Sequence, residues 1–382
     1  MIPKRVTEMT SFIVMDVLEK AQEMEREGVD IIHLEVGEPD FAPPGCVSAA
    51  IGRALRDGHT HYTHSLGMIE LREAIAEHYG ERYGVSVDPA QVVVSSGTSP
   101  AMLTMFSVLL ERGSEVIISD PHYACYPNFI GYLEGKAVRV PVYEEDGFQY
   151  RPEAIRRKIG DKTRAILINS PANPTGMVLT AERMKEIAAC GPYIISDEIY
   201  HGLNYGGDEH SVLEFTDRAF VLNGFSKLFA MTGLRLGYLI APPPFIPALQ
   251  KIQQNFFLAP NSLSQVAGIA ALKEGAQDVA RMRDIYDGRR CFMIERLRSI
   301  GFSIPVEPTG AFYVFVNARH LSPDSHKLAF DILQKAHVGV TPGIDFGRGG
   351  EGFLRFSYAN SIENIREGLK RLERYLHERG AL

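Results

Sequence analysis

Asn223-Gly224-Phe225-Ser226-Lys227-Leu228-Phe229-Ala230-Met231-Thr232-Gly233-Leu234-Arg235 sets a lysine between small residues and phenylalanines, directly after the apolar run 219–222. That run reads as a buried strand. A lysine just past its end is costly, because a desolvated ammonium drifts toward its neutral form. A neutral amine is what attacks a carbonyl to form a Schiff base. Arg235 follows and opens another strand-like run, 235–240. Taken alone, such a lysine is more often a surface residue in a loop; the rest of the chain decides.

Outward from this stretch, strand-like runs at 115–119, 136–140, 164–169, 193–196 and 219–222 are interspersed with helical patterns such as 152–159 and 182–189. The alternation predicts an α/β domain with a mostly parallel sheet. Ligands bind beyond the C-terminal ends of such strands. The polar residues just past those ends are Asp120-Pro121-His122-Tyr123, Asn169-Ser170-Pro171-Ala172-Asn173-Pro174-Thr175-Gly176, Asp197-Glu198-Ile199-Tyr200 and Ser226-Lys227. They are expected to converge. A strand at 91–94 leads through Ser95-Ser96-Gly97-Thr98-Ser99-Pro100 into an apolar helix at 101–110. Ser99 suits the N-cap and Pro100 the first helical position. Free N–H groups, two hydroxyls and the positive end of the helix dipole make this turn a candidate phosphate cradle, although a plain capped helix has the same look.

At the N-terminal side, Val14, Val17, Leu18, Ala21 and Met24 fall at helical spacing within 11–27. A strand is expected at 31–36, ending in Gly37-Glu38-Pro39-Asp40, and helices at 47–56 and 70–83. His59, His61 and His64 lack the i, i+4 spacing and the carboxylates of a metal site, and no metal is expected there. A long helix at 278–300 leads to strands at 311–316 and 352–357 and an amphipathic helix at 362–377. These pieces imply a large α/β domain over 46–279 and a smaller α+β domain built from 1–45 and 280–382.

The 382 residues carry a formal net charge of −7, which disfavours nucleic acid or an anionic membrane as partner. Cys46, Cys125, Cys190 and Cys291 are scattered, with no pairing expected for a zinc site or disulfide framework. With no leader-like or membrane-spanning segment, a cytoplasmic protein is expected.

The converging set is a lysine, a strand-end aspartate, an asparagine, a tyrosine three residues after the aspartate, an arginine and a helix N-terminus. It suits a phosphorylated pyridine aldehyde, whose ring becomes an electron sink when a carboxylate keeps its nitrogen protonated. Over essentially its whole length the chain resembles the fold type I pyridoxal-phosphate enzymes, in particular the class I/II aminotransferases of the aspartate aminotransferase superfamily. The resemblance rests on Gly37-Glu38-Pro39-Asp40, Tyr62, Ser96-Gly97-Thr98, Pro171-Ala172-Asn173-Pro174-Thr175-Gly176, Ser196-Asp197-Glu198-Ile199-Tyr200, Ser226-Lys227 with Arg235, and Leu354-Arg355-Phe356-Ser357-Tyr358.

The resemblance implies a role for each position. Lys227 is the Schiff-base lysine and the acid/base at the substrate Cα. Asp197 pairs with the pyridinium nitrogen of pyridoxal 5′-phosphate, and Asn173 and Tyr200 bond the ring hydroxyl. Tyr123 stacks on the ring. Gly97, Thr98, Ser99, Ser226 and Arg235 hold the phosphate, reached also by Tyr62 from the neighbouring subunit of a homodimer with shared active sites. Arg355 grips the substrate α-carboxylate as a planar fork, helped by the Gly37 backbone and Asn173. The expected activity is ping-pong transamination between an α-amino acid and an α-keto acid. Eliminating enzymes of the same fold, such as C–S lyases, use the same cofactor set and are the nearest rival. A cofactor-binding regulator is more remote, for want of a DNA-binding segment. The chain has no Trp for the stacking position, and no arginine is identified for a distal carboxylate. The apolar strip Phe12-Ile13-Val14 favours apolar or aromatic donors.

Overall fold

The protein is described by a computed structural model over residues 2–380. Its strands are β1 (Ile32–His33), β2 (Val92–Ser95), β3 (Glu115–Asp120), β4 (Lys136–Pro141), β5 (Thr163–Asn169), β6 (Tyr193–Asp197), β7 (Ala219–Gly224), β8 (Gly237–Ile240), β9 (Tyr313–Asn317), β10 (Val338–Gly339), β11 (Thr341–Pro342) and β12 (Phe353–Ser357). Seven of them form one sheet in the order β2-β8-β7-β6-β5-β3-β4. All run parallel except β8, which is antiparallel to both neighbours. The mostly parallel sheet expected from the alternating pattern is therefore present.

The strands are apolar on both faces because both are covered. Val93, Leu167, Ile195, Phe220 and Leu239 pack on one side with Met102, Met105 and Phe106 of helix Thr98–Leu109. Their sequence neighbours Val94, Ile166, Ile194, Val221 and Tyr238 pack on the other side with Leu71, Ile75 and Tyr79 of helix Ile69–Tyr83. This is the two-residue period of a strand read out on opposite faces.

A second layer is smaller. Strands β11-β12-β9 form an antiparallel sheet, and β1 pairs with β10. Helix Ile13–Arg26 contacts β10, β11 and helix Ser325–Ala336, so the two ends of the chain pack together. Helix Ala276–Ser299 runs between the layers' sequence segments. The expected strand at 31–36 shrinks to β1, because beyond His33 the backbone turns to the carbonyls of Glu35 and Gly37, which bond other groups.

Two local expectations are corrected. Helix Thr98–Leu109 starts earlier than expected, and its N-cap is Gly97, not Ser99. Gly97 has φ 100°, a left-handed-side conformation that glycine adopts without a Cβ clash. Pro100 then falls in the first turn, where no N–H is missed. Arg235 does not open a strand: it ends a short 3₁₀ turn at φ 52°, and β8 begins at Gly237. A Cβ at Gly237 would lie 2.7 Å from the Gly97 carbonyl carbon, so only glycine lets β8 cross under the helix start.

Candidate active site

Because β5, β6 and β7 are parallel and in register (Asn169 beside Asp197, Asp197 beside Leu222), their C-terminal ends open on one edge. A cavity of about 450 Å³ lies there. Its wall includes ten of the residues expected in the site: Gly37, Thr98, Ser99, Tyr123, Asn173, Asp197, Tyr200, Lys227, Arg235 and Arg355. Gly97 and Ser226 are not on that wall but adjoin Thr98 and Lys227 in the chain. Tyr62 stands apart: it is 84 % exposed and lines a separate shallow cleft with His59 and His61.

Lys227 follows β7 by three residues and donates to the Gly37 carbonyl at 2.6 Å. Burial lowers its pKa to about 8, opposed by the Glu38 carboxylate and helped by Arg355 and Arg235. About a tenth of the amine is therefore neutral at pH 7, far more than for an ordinary lysine. The turn carrying Gly37 is tied down by Asp40, which accepts two bonds from Arg289 at 2.8 and 2.9 Å.

Asp197, at the end of β6, is 5 % exposed. Its carboxylate accepts from the Tyr126 hydroxyl at 2.7 Å and the Ile199 N–H at 3.3 Å. No cation pairs with it among the described residues. Burial raises its pKa to about 6, although the Tyr126 bond works against that. A buried carboxylate with only neutral donors is an acceptor suited to a cationic N–H.

Arg355, mid-way along β12, is 2 % exposed and, among the described residues, is bonded only to neutral oxygens. It donates to Asn173 Oδ1 at 2.7 Å, the Glu35 carbonyl at 2.6 Å and Thr341 Oγ1 at 3.1 Å. Its guanidinium lies over the Tyr313 ring at 4.3 Å and near the Phe346 ring at 5.0 Å. Its Nε is buried without a hydrogen-bond partner among the described residues. A buried cation so placed invites an anion. Arg235 donates to the Thr232 carbonyl at 3.0 Å. A Cβ on Gly97 would come within 2.6 Å of the Arg235 guanidinium, so the missing side chain brings arginine and helix N-terminus together as one anion cradle.

Three further residues support the site, of which the sequence pointed only to Asn169, among the strand-end residues expected to converge. Tyr126 orients Asp197. Asn169 donates to the Asp197 carbonyl at 2.9 Å and accepts the Asn173 N–H at 2.8 Å. Tyr313 bonds the Tyr200 hydroxyl at 2.7 Å. Asn169 stood at a strand end, the one available signal. Tyr126 opens the helix three residues after Tyr123, and nothing local separates Tyr313 from its buried neighbours.

The arrangement accommodates a phosphorylated, cationic ring: anion cradle at one end, unpaired buried carboxylate at the other, depressed-pKa amine between. The family model for aminotransferase class I and II matches residues 29–372. The (5-formylfuran-3-yl)methyl phosphate transaminase of Methanocaldococcus jannaschii is 40% identical, over 99% of this chain and 100% of its own. The aspartate aminotransferase of Pyrococcus horikoshii is 39% identical over 98% of this chain and 97% of its own. The crystal structure of the aromatic aminotransferase from Pyrococcus horikoshii OT3 superposes with a TM-score of 0.90 at 38% identity, covering 95% of this chain and 100% of that one.

Proposed function

The chain belongs to the class I and II aminotransferases, and we propose that it works by a ping-pong cycle with pyridoxal 5′-phosphate held in the cavity above β5–β7. The family uses that cofactor, and the protein is an enzyme of transamination. The observation that supports the site assignment best is the pair Asp197 and Lys227: a buried carboxylate without a cationic partner and an amine of lowered pKa on one cavity wall.

When bound, the cofactor supplies the electron sink that makes the substrate Cα–H acidic. Thr98, Ser99, Ser226 and Arg235 are assigned its phosphate, with Gly97 leaving the room. Asp197 is assigned its ring nitrogen, Asn173 and Tyr200 its hydroxyl, and Tyr123 its face. Lys227 Nζ carries the cofactor at rest and moves the proton at the substrate Cα once released. Arg355 takes the substrate α-carboxylate in a two-pronged grip, and Asn173, already bonded to it, sets the fork's plane. Tyr62, exposed and outside the cavity, is assigned to the phosphate of a neighbouring subunit in a homodimer.

Named relatives act on aspartate, on aromatic amino acids and on a furan phosphate. In this cavity the lining cations among the described residues are Lys227, Arg235 and Arg355, each already assigned. The wall near the substrate end is apolar: Phe12, Val14, Met15 and Leu18. Apolar or aromatic amino donors are therefore the favoured substrates. The test is a half-reaction without acceptor. Cofactor-loaded protein given one amino acid should release one keto acid per site and no ammonia, then return to its starting spectrum when a different keto acid is added. Continuous release of ammonia would identify an eliminating enzyme instead.

A further inference from the structure

Resting on the assignment of Arg355 to the substrate α-carboxylate, we propose that His33 and Glu35 are positioning residues for that clamp, pinning from behind the backbone carbonyl that holds its guanidinium. The Glu35 carbonyl accepts from Arg355 Nη2 at 2.6 Å and from Thr341 Oγ1 at 3.1 Å. Thr341 Oγ1 itself accepts from Arg355 at 3.1 Å, so the three groups close a triangle. With Asn173 Oδ1 on Nη1, these bonds fix the plane of the fork, and the substrate carboxylate meets the edge they leave free.

The side chain of the same Glu35 is fully buried. A buried carboxylate is tolerated when it is paired. Its partner is His33, whose Nδ1 lies 2.6 Å from Oε1; Oε2 has no hydrogen-bond partner among the described residues. His33 Nε2 lies 3.1 Å from Glu25 Oε1 on helix Ile13–Arg26. The hydrogen bond to Glu35 raises the His33 pKa to about 9, against the effect of burial, so the imidazole is charged at neutrality. A Cβ on Gly339, which faces His33 across β1 and β10, would collide with Glu35 Oε2. The neighbouring strand thus leaves the room that the carboxylate fills.

The backbone between the two residues is tied to the same framework. The Leu34 N–H donates to the Gly339 carbonyl at 3.0 Å, and the Leu34 carbonyl accepts from the Ser357 N–H, two residues past Arg355, at 2.7 Å. Neither His33 nor Glu35 lines the cavity, so they act on substrate only through the Glu35 carbonyl. Without His33 the carboxylate must turn toward water or take a proton, and the carbonyl of the same residue moves with it.

The test uses the cofactor-loaded enzyme and two unreactive ligands, 3-phenylpropionate and 3-phenylpropan-1-ol, which differ in the carboxylate; calorimetry gives their affinities. Glu35→Ala and His33→Ala should each weaken the acid by about tenfold and the alcohol by less than about twofold. Glu35→Gln keeps an oxygen for the His33 N–H and should stay within about threefold of wild type. The double variant His33→Ala/Glu35→Ala should be no weaker than His33→Ala, because both changes cut one link. In an Arg355→Lys background His33→Ala should cost the acid less than about twofold more. In turnover, His33→Ala should raise KM for alanine and for phenylalanine by the same factor, with kcat little changed. His33→Ala tests the link on its own should Glu35→Ala fail to fold. Equal weakening of acid and alcohol, additive losses in the double variant, or a full further loss in the Arg355→Lys background would overturn the proposal. Failure of the transaminase reading would look different: no keto acid from any amino acid, with the affinity for the acid and its loss in the variants still measurable.

Discussion

The floor and roof of the cavity are built by different means. The floor consists of strand ends of the seven-stranded sheet, with Asn169, Asp197 and Lys227 on or just past parallel strands in fixed register. The roof consists of β12 with Arg355, β9 with Tyr313, and residues 10–14 with Phe12. Floor groups owe their position to strands buried on both faces. Roof groups add individual hydrogen bonds to that: Arg355, itself on the buried strand β12, to Asn173, Thr341 and Glu35, and residues 10–14 to Asn128 and Asp345. The floor carries the groups assigned to bond-making, and the roof carries those assigned to substrate choice. Changes in the floor should therefore alter kcat, and changes in the roof mainly kcat/KM.

The largest roof effect should come from Arg355→Lys. An ammonium cannot reproduce the planar fork, and its loss should cost about 2–5 kcal/mol of transition-state binding. That is roughly 30- to 5000-fold in kcat/KM. A variant within threefold of wild type would mean that the substrate carboxylate is held elsewhere.

On the floor, Asp197→Asn should separate stability from activity. The folded-state pKa of Asp197 lies at about 6, above its ordinary value of 3.8, because burial disfavours the charge. The cofactor-free protein therefore bears a cost above pH 6 that vanishes as pH falls below the ordinary value, worth up to about 3 kcal/mol. Cofactor-free Asp197→Asn should be more stable than wild type at pH 8 by roughly 1–3 kcal/mol in denaturant titration. The advantage should shrink toward zero near pH 4. With cofactor, the same change should lower kcat far more than it lowers cofactor affinity. Unchanged stability at pH 8 would indicate that the carboxylate is not a strained group.

The smallest effect expected here is that of Tyr313→Phe. It removes the bond to Tyr200 but keeps the ring beneath Arg355. A net hydrogen bond is worth about 1 kcal/mol, so roughly a fivefold loss in kcat/KM is expected. A loss beyond a hundredfold would place Tyr313 in direct contact with the reacting groups and blur the line between floor and roof.

The same division explains what could be read from the sequence. In a parallel sheet the buried strands are plain apolar runs, and the polar residues just past them stand out. Lys227, Asp197 and Asn173 were legible on that ground. Arg355 lies mid-strand, and its role came only from the resemblance of Leu354-Arg355-Phe356-Ser357-Tyr358. Tyr313, Asp345 and Asn128 were not legible at all, because their partners are far away in sequence and no local period marks them. The N-cap was misplaced because Ser99 and Pro100 match the usual residue preferences, whereas the decisive constraint was non-local: β8 crossing beneath Gly97. Helix Ser262–Glu274 also went unread, its glycine and polar positions lacking a clear amphipathic stripe.

The central claim is that Lys227 is a readily deprotonated amine set in one cavity with Asp197 to receive pyridoxal 5′-phosphate. The most direct test adds the cofactor to cofactor-free protein across a pH series, traps the adduct with borohydride at short times and maps it to a peptide. With the Lys227 pKa lowered to about 8, the capture rate should rise about tenfold per pH unit below that value and level off above it. The adduct should lie on Lys227, and Lys227→Ala should abolish both it and turnover. An adduct on another lysine, or on Lys227 with a rate still climbing toward pH 10, would contradict the account.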